Sequence, residues 1–382
     1  SISCHAGAHL VTLSIEHIGF TNFRNYERFE LNDIGALTLF VGPNAVGKTN
    51  IVEGIQLMTA LSSFRHPLID QVIKHGESYA RAEARVTGDD RVLDIVMLLE
   101  SHKRKYTLNG KARRPADLKG LIPSVSFTPD DLDLVKGSMS VRRTAIDALG
   151  SQLSPNHYLI KKDYEKVIRY KNRLLKEEAQ VALIDSINET LVTCGAQLAC
   201  YRAALFAKLA PEISRRYADI AQGEKLQVTY IPSWMAPVSR ETPCGVASFS
   251  RDEARDALTS ALKARRGEEL ARRKSVVGPH ADEIDFYIEG KNAGNYGSQG
   301  QQRSIVLACK LAEASIIEDM LSQKPVLLLD DVMSELDEHR RHALVEFISG
   351  DMQTFITTAN LAYFDDSLLK NASVVQLGEE AK

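Results

Sequence analysis

The sequence predicts an α/β protein, a phosphate-loop head in two pieces split by an inserted, mainly helical arm domain. Three observations predict it. A glycine-rich loop at residues 42–49 follows an apolar run at 37–41. Strand and helix patterns alternate from residue 301 to 358, which argues for a layered sheet. Between these regions the apolar period changes to that of helices, from about residue 156 to residue 205. The expected divisions are 1–125 for the first piece of the head, 126–274 for the arm and 275–382 for the second piece of the head.

The N-terminal region alternates like strands at Leu13, Ile15 and Ile18, then at Phe29 and Leu31, then through 37–41. A helix pattern follows at Ile51, Val52, Ile55 and Met58. Strands return at 80–86, 93–99 and 106–108, and Asn109-Gly110 has turn chemistry. In the arm, Ile160, Tyr164, Val167 and Leu174 form one stripe. Ile184, Ile187, Leu191, Cys194, Leu198, Tyr201 and Leu205 form a second, with the charged region 176–180 between them. These stripes predict an antiparallel pair of helices with arms of about 20–35 residues, either projecting as a coiled coil or packed in a helical domain. Residues 231–245, rich in Pro and Gly, read as loop or edge strand, and 251–266 as helix. The last region predicts strand and turn at 276–288, helix at 301–321, strand at 325–329, helix at 338–348 and strand at 353–358.

Length and composition narrow the possibilities. A chain of 382 residues with 44% apolar and 25% charged residues is long enough for about two or three domains with a full core. No run of about 18 apolar residues occurs, so no membrane partner is expected. Residues 1–10 are too short and polar for a signal peptide. The five cysteines, Cys4, Cys194, Cys200, Cys244 and Cys309, lack any C-x-x-C spacing, which fits a reducing cytoplasm rather than zinc or disulfides. The net charge of −3 requires any nucleic-acid contact to come from local patches. Three basic clusters qualify: 102–105 with Lys111, Arg113 and Arg114; 161–176; and 263–274.

Gly42-Pro43-Asn44-Ala45-Val46-Gly47-Lys48-Thr49 fits G-x-x-x-x-G-K-[ST]. Such a turn points consecutive backbone N–H groups at phosphate oxygens, and the helix after it adds its positive N-terminal end. Residues 42–49 and Asn50 are therefore candidate nucleotide contacts. Lys48 is expected to reach the β- and γ-phosphates, and Thr49 to hold Mg²⁺ through its hydroxyl. The apolar run 326–329 ends in Asp330-Asp331. At a parallel strand end, Asp330 is placed to bind the same Mg²⁺, and Asp331 to orient or deprotonate an attacking water. Lys48, Asp330 and Asp331 are the candidate catalytic residues.

A further segment, Tyr296-Gly-Ser298-Gln299-Gly300-Gln301-Gln302-Arg303-Ser304, enters an amphipathic helix. Ser298 and Gly300 make either a second anion site at a helix N-terminus or a plain serine cap. Two phosphate-sized sites on one subunit suit a head-to-tail pair, each nucleotide being gripped by both chains.

The form SQGQQRS followed by LLLDDVMSELD resembles the RecF family, bacterial DNA-repair ATPases of the ABC/SMC-like kind. Similar pieces run along the chain: Asn22-Phe-Arg24-Asn25-Tyr26, Thr128-Pro-Asp-Asp-Leu132, Lys136-Gly-Ser, Arg142-Arg143, Gly278-Pro-His280 and Gln353-Thr-Phe-Ile-Thr-Thr358. The resemblance implies an ABC-type P-loop ATPase head with an inserted arm, ATP-dependent homodimerisation and slow, DNA-stimulated ATP hydrolysis. It also implies binding to duplex DNA or single-strand/double-strand junctions, with RecR and RecO as partners in loading a recombinase. By matching position, Ser298, with Gly300 and Gln301, faces the partner's γ-phosphate, and Asp337 lies in the loop coupling the two sites. Arg24 and Asn25 approach the nucleotide from the N-terminal side. The chain departs from the usual pattern at Ala45, where glycine is usual, and at Asp331, where transporter-type relatives use glutamate. Thr357 and Thr358 stand where many have a switch histidine. Arg142, Arg143, Lys161, Lys162 and Lys166 are the candidate DNA contacts. The rival functions are a long-armed SMC-like chromosome-organising or break-repair ATPase and a P-loop kinase.

Overall fold

The computed structural model describes residues 13–100, 102–235 and 245–378. Residues 1–10, Cys4 and Cys244 lie outside them. The chain forms two compact units, one of residues 1–131 and 313–382, the other of residues 132–312. Residues 275–312, assigned to the head on sequence, thus belong to the second unit.

The first unit holds two sheets. Five parallel strands run in the order Ser373–Gln376, Leu37–Val41, Thr354–Thr358, Val326–Asp330, Ser124–Phe127. The three central strands are buried along their whole length, which explains their uninterrupted apolar or threonine runs. Six antiparallel strands form the other sheet, in the order Tyr26–Leu31, Ser14–Phe23, Tyr79–Gly88, Arg91–Glu100, Lys103–Leu108, Lys111–Arg113. Here burial alternates, as at Ala80, Ala82, Ala84 and Val86, so one face is wet and the period of two is legible. The helix Lys48–Thr59 packs against strands of both sheets. One apolar cluster joins its Ile51 and Ile55 to Phe20 and Met97 on one side and Phe40, Leu328 and Phe355 on the other. Each such side chain, fully buried, contributes about 2–3 kcal/mol.

The second unit is built on Met139–Leu153, Pro155–Lys176, Val181–Ile220 and Arg251–Ala264. The paired helices are 22 and 40 residues long, so the second exceeds the expected range. It continues through Pro211, where a sequence pattern would stop it. Tyr164, Val167, Leu191, Cys194 and Leu198 pack on Ala254, Leu258 and Leu262, so the stripes face a third helix as well as each other. This is a packed helical domain rather than a bare projecting coil. Its small sheet pairs Glu283–Ile288 with Leu226–Ile231 and Lys291–Asn292.

Arg202 sits at the polar centre of this unit, only 3% exposed. It forks onto both Asp147 oxygens at 3.0 and 2.8 Å and also reaches Asp282 Oδ2 at 3.1 Å. His157 Nε2 lies 3.0 Å from Asp147, and Tyr230 donates to Asp282 at 2.7 Å. Burial alone would raise the Asp147 carboxyl, but Arg202 and His157 outweigh it and hold the group well below the usual range. Such a centre fixes one arrangement because removing a single partner strands a charge in a low-dielectric core.

Among the described residues no helix is long and apolar enough to cross a membrane. Cys194, Cys200 and Cys309 form no disulfide.

Candidate functional site

The Leu37–Val41 strand delivers the chain to Gly42, and the loop turns into the helix at Lys48. Gly47 has φ 107°, open to glycine alone at low cost. A Cβ there would lie 2.6 Å from Asn25 Nδ2 and 2.8 Å from the Tyr26 hydroxyl, so shape as well as backbone requires glycine. Ala45 adopts φ 67°, the left-handed conformation that the missing glycine would supply freely, at roughly 1–2 kcal/mol of strain. Pro43, Asn44 and Ala45 are exposed, Gly42 and Val46 half-buried. Lys48 is only 6% exposed, and its ammonium donates to the carbonyls of Gly42 and Pro43, curling over the loop it serves.

The acidic strand end meets this loop. Asp330 Oδ1 accepts from Thr49 Oγ1 at 2.9 Å and from Thr357 Oγ1 at 2.7 Å. Burial pushes its carboxyl up, against the opposing pull of those hydroxyls and of Arg65. A hydroxyl and a carboxylate oxygen side by side are the donor set of a hard cation such as Mg²⁺. Among the described residues no cluster of three or more His, Cys, Asp or Glu side chains could hold a metal alone. Mg²⁺ keeps waters and takes phosphate oxygens as its other ligands. Asp331, half-buried, stands at φ 52°, its N–H held by Thr357 Oγ1 at 3.0 Å. Asp337 caps the Glu338–Ile348 helix, accepting from Arg340 N at 2.9 Å.

Arg24 and Asn25 divide their work. Asn25 touches the loop, donating to the Val46 carbonyl at 3.3 Å and accepting from Asn50 Nδ2 at 2.7 Å. Arg24 instead clamps Glu53 through two bonds of 2.8 and 2.7 Å and gives a third to Gln71 O. Glu53 is wholly buried and is also bonded by Arg65 at 3.2 Å and Ser63 at 2.7 Å. Arg65 reaches Asn50 as well, closing a chain of contacts from Arg24 to the phosphate loop. Sequence reasoning missed Glu53, Ser63 and Arg65, and it placed Thr357 at the switch position without its bond to Asp330. A carboxylate between Val52 and Ile55 was the available signal for Glu53.

In the second unit, Ser298 precedes the Gln299–Leu321 helix and forms a reciprocal cap. Its Oγ accepts from Gln301 N at 3.1 Å, and Gln301 Oε1 accepts from Ser298 N at 2.8 Å. Ser298 is exposed and Gly300 half-buried. The cap thus exists, and it uses the Ser298 hydroxyl only as an acceptor.

The proposed phosphate contacts fare unequally. Arg142 is buried, donating to the carbonyls of Leu134, Val135 and Ile284 and to Asp285, so it has no face left for DNA. Its placement among the DNA contacts is corrected: the residue braces the fold. Arg143 is half-buried and gives a bond of 2.7 Å to Asp282 O. Lys161 pairs with Glu165, Lys166 with Asp163, and Lys162 lies 5.0 Å from the Tyr158 ring centre.

With this geometry in view, comparisons place the chain. Residues 14–379 match the RecF/RecN/SMC N-terminal domain family. A DNA replication and repair protein RecF of Synechococcus sp. is 35% identical over 367 residues, covering 93% of this chain and 94% of its own. One of Heliobacterium modesticaldum is 34% identical, covering 96% and 97%. A solved structure of the recombination mediator protein RecF with ATP, in the RecFOR pathway, superposes with a TM-score of 0.84 at 29% identity, over 95% of this chain and 96% of that one. An Smc head domain from Pyrococcus furiosus shares the fold alone, with a TM-score of 0.50 at 16% identity over 95% and 93% of the chains. The chain belongs to the RecF family of DNA replication and repair proteins, within the wider group of RecF, RecN and SMC heads.

Proposed function

We propose that this protein binds ATP with Mg²⁺, dimerises on it, hydrolyses it slowly and uses the dimer to hold DNA during recombinational repair and the SOS response. The observation that carries the proposal is the 2.9 Å contact between Thr49 of the phosphate loop and Asp330 of the acidic strand end, residues 281 positions apart in the chain. In this scheme the backbone N–H groups of residues 42–50 bind the phosphates, and Lys48 exchanges its loop carbonyls for phosphate oxygens. Thr49 and Asp330 would hold Mg²⁺, which would supply positive charge against the β- and γ-phosphates. Asp331 orients the attacking water and accepts its proton. Asn25 braces the loop, and Arg24 acts behind it through Glu53. Ser298, Gly300 and Gln301 bind the γ-phosphate held by a second copy, with Asp337 in the segment coupling the two sites.

DNA is the macromolecular partner, and exposed cations that carry no ion pair are the charges open to its phosphates. Lys171 is buried against Glu269, and Arg265, Arg266, Arg272 and Arg273 all face acids. In the hairpin of Lys103–Leu108 and Lys111–Arg113, Lys103 and Lys111 are exposed with no carboxylate ion pair among the described residues, as are Arg169, Lys176, Lys263 and Lys274. These are the free charges that phosphate would pair with, and they stand beside Lys161, Lys162, Lys166 and Arg143 as candidates. RecR and RecO are the proposed protein partners, in a reducing cytoplasm where the cysteines stay out of disulfides. A long-armed chromosome organiser is disfavoured, because the longer paired helix spans only about 60 Å.

Fluorescence anisotropy of labelled duplex and gapped DNA, titrated with and without ATP across a salt series, tests the proposal. Affinity should rise with ATP, and log affinity should fall linearly with log salt. Affinity indifferent to both would remove the mechanism.

A further inference from the structure

The Ser298 cap does not stand alone. Gln301 donates its side-chain amide to Glu224 Oε1 at 2.6 Å, and the Tyr217 hydroxyl donates to Glu224 Oε2 at 2.7 Å. Tyr217 is completely buried in the last turn of the 40-residue Val181–Ile220 helix. Glu224 lies in the tight turn that follows, where Gln222 and Gly223 both take positive φ. The next residue is tied down as well: Lys225 N donates to Glu289 Oε1 at 2.8 Å, and Glu289 N returns a bond to Lys225 O at 3.0 Å. The carboxylate is therefore held in place from the helix on one side and from the small sheet on the other.

An ionised carboxylate only accepts hydrogen bonds, so it decides which end of the Gln301 amide faces it. The NH₂ group must turn to Glu224, and the oxygen is left to accept from Ser298 N–H. That contact, with the return bond from Gln301 N, sets the Ser298 rotamer. The hydroxyl proton of Ser298 then has no acceptor among the described residues and is free for an anion. The negative charge of Glu224 also sits favourably by the first turn of the Gln299–Leu321 helix.

We propose that Glu224 is the positioning residue of the Ser298 segment. It presets the Ser298 hydroxyl for the nucleotide of a second subunit and ties that geometry to the end of the long helix. The proposal rests on the two-subunit nucleotide site described above. Glu224 touches no nucleotide itself and acts only through Gln301.

Mixed-subunit ATPase assays on the full chain separate this role from a general structural one. Glu224→Ala should lower turnover roughly ten- to hundredfold, as loss of a charge-assisted hydrogen bond does, while leaving ATP affinity unchanged. Mixing Glu224→Ala with Lys48→Ala should then restore activity. One composite site pairs the intact phosphate loop of the first variant with the intact Ser298 segment of the second. With one intact site of two in each mixed dimer, the rate should reach at most about half of the native one, and rescue itself shows that Glu224→Ala is folded. Ser298→Arg mixed with Lys48→Ala is the reference. If the reference is rescued and the Glu224→Ala mixture is not, or if Glu224→Ala alone turns over at the native rate, the positioning role is wrong. If the reference mixture itself stays inactive, the two-subunit site fails, and this proposal falls with it. Should Glu224→Ala not fold, Glu224→Gln carries the same test, because a neutral amide no longer dictates the Gln301 orientation.

Discussion

Replacing Arg24 should damage the fold around the phosphate loop before it damages nucleotide chemistry. Arg24 is 17% exposed and Glu53 not at all, and their two bonds of 2.8 and 2.7 Å form a bidentate charge-assisted pair. Deleting one member of a buried pair costs about 3–5 kcal/mol, mostly from the stranded charge. Arg65 and Ser63 still contact Glu53 after Arg24→Ala, which places the cost at the lower end, about 3 kcal/mol. Hydrogen exchange by mass spectrometry on peptides spanning residues 37–59 reads this directly. Protection there should fall by about two orders of magnitude, since every 1.4 kcal/mol is tenfold. The double variant Arg24→Met with Glu53→Leu, which replaces the pair by apolar groups, should recover most of the loss. Unchanged protection in Arg24→Ala together with weaker ATP binding would refute this reasoning. Arg24 would then act on the nucleotide directly, as the sequence resemblance implies.

Three further outcomes follow from the geometry. Gly47→Ala places a Cβ 2.6 Å from Asn25 in a φ 107° backbone, so calorimetry should show ATP binding abolished while peptides of residues 132–312 keep their exchange protection. Because burial raises the Asp330 carboxyl, Mg²⁺-dependent nucleotide affinity should fall on acidification at a higher pH than an ordinary aspartate would give. An Asp330→Asn variant should lack both the Mg²⁺ dependence and that pH step. His280 is held neutral, accepting from the Tyr164 hydroxyl at Nδ1 and donating to Ser275 O from Nε2. Burial lowers its pKa from 6.5 to about 4. Its stabilisation is complete above the unfolded value and is lost as pH falls from about 6.5 through about 4, a change of about 3 kcal/mol absent from His280→Gln. Thermal melts across that range check it.

The phosphate loop and the acidic strand end were legible because their chemistry is written in contiguous residues. A buried run, a glycine turn and a Lys-Thr pair leave few alternatives, and strand parallelism then brings Asp330 to Thr49. Strand Ser124–Phe127 escaped because its four residues are all buried, leaving no alternation to detect. The Lys48–Thr59 helix carries ten buried residues of twelve, Glu53 and Gln56 among them, so its apolar stripe described only part of its buried surface. Arg142 and Arg143 are adjacent and look alike in sequence. Only the fold shows that one is spent on backbone carbonyls of Leu134, Val135 and Ile284. Partners at such sequence distances leave no local pattern. The Ala45 departure was visible, and the structure keeps the left-handed backbone there with alanine in place.

In the proposed dimer, the site of ATP bound by the loop of one chain is completed by Ser298 of another. Light scattering of the full chain with and without ATP and Mg²⁺ tests it most directly, comparing the native protein with Lys48→Ala and Ser298→Arg. ATP should convert monomer to dimer in the native protein and in neither variant. A native protein that hydrolyses ATP while remaining monomeric would contradict it, and would reduce the Ser298 segment to a helix cap.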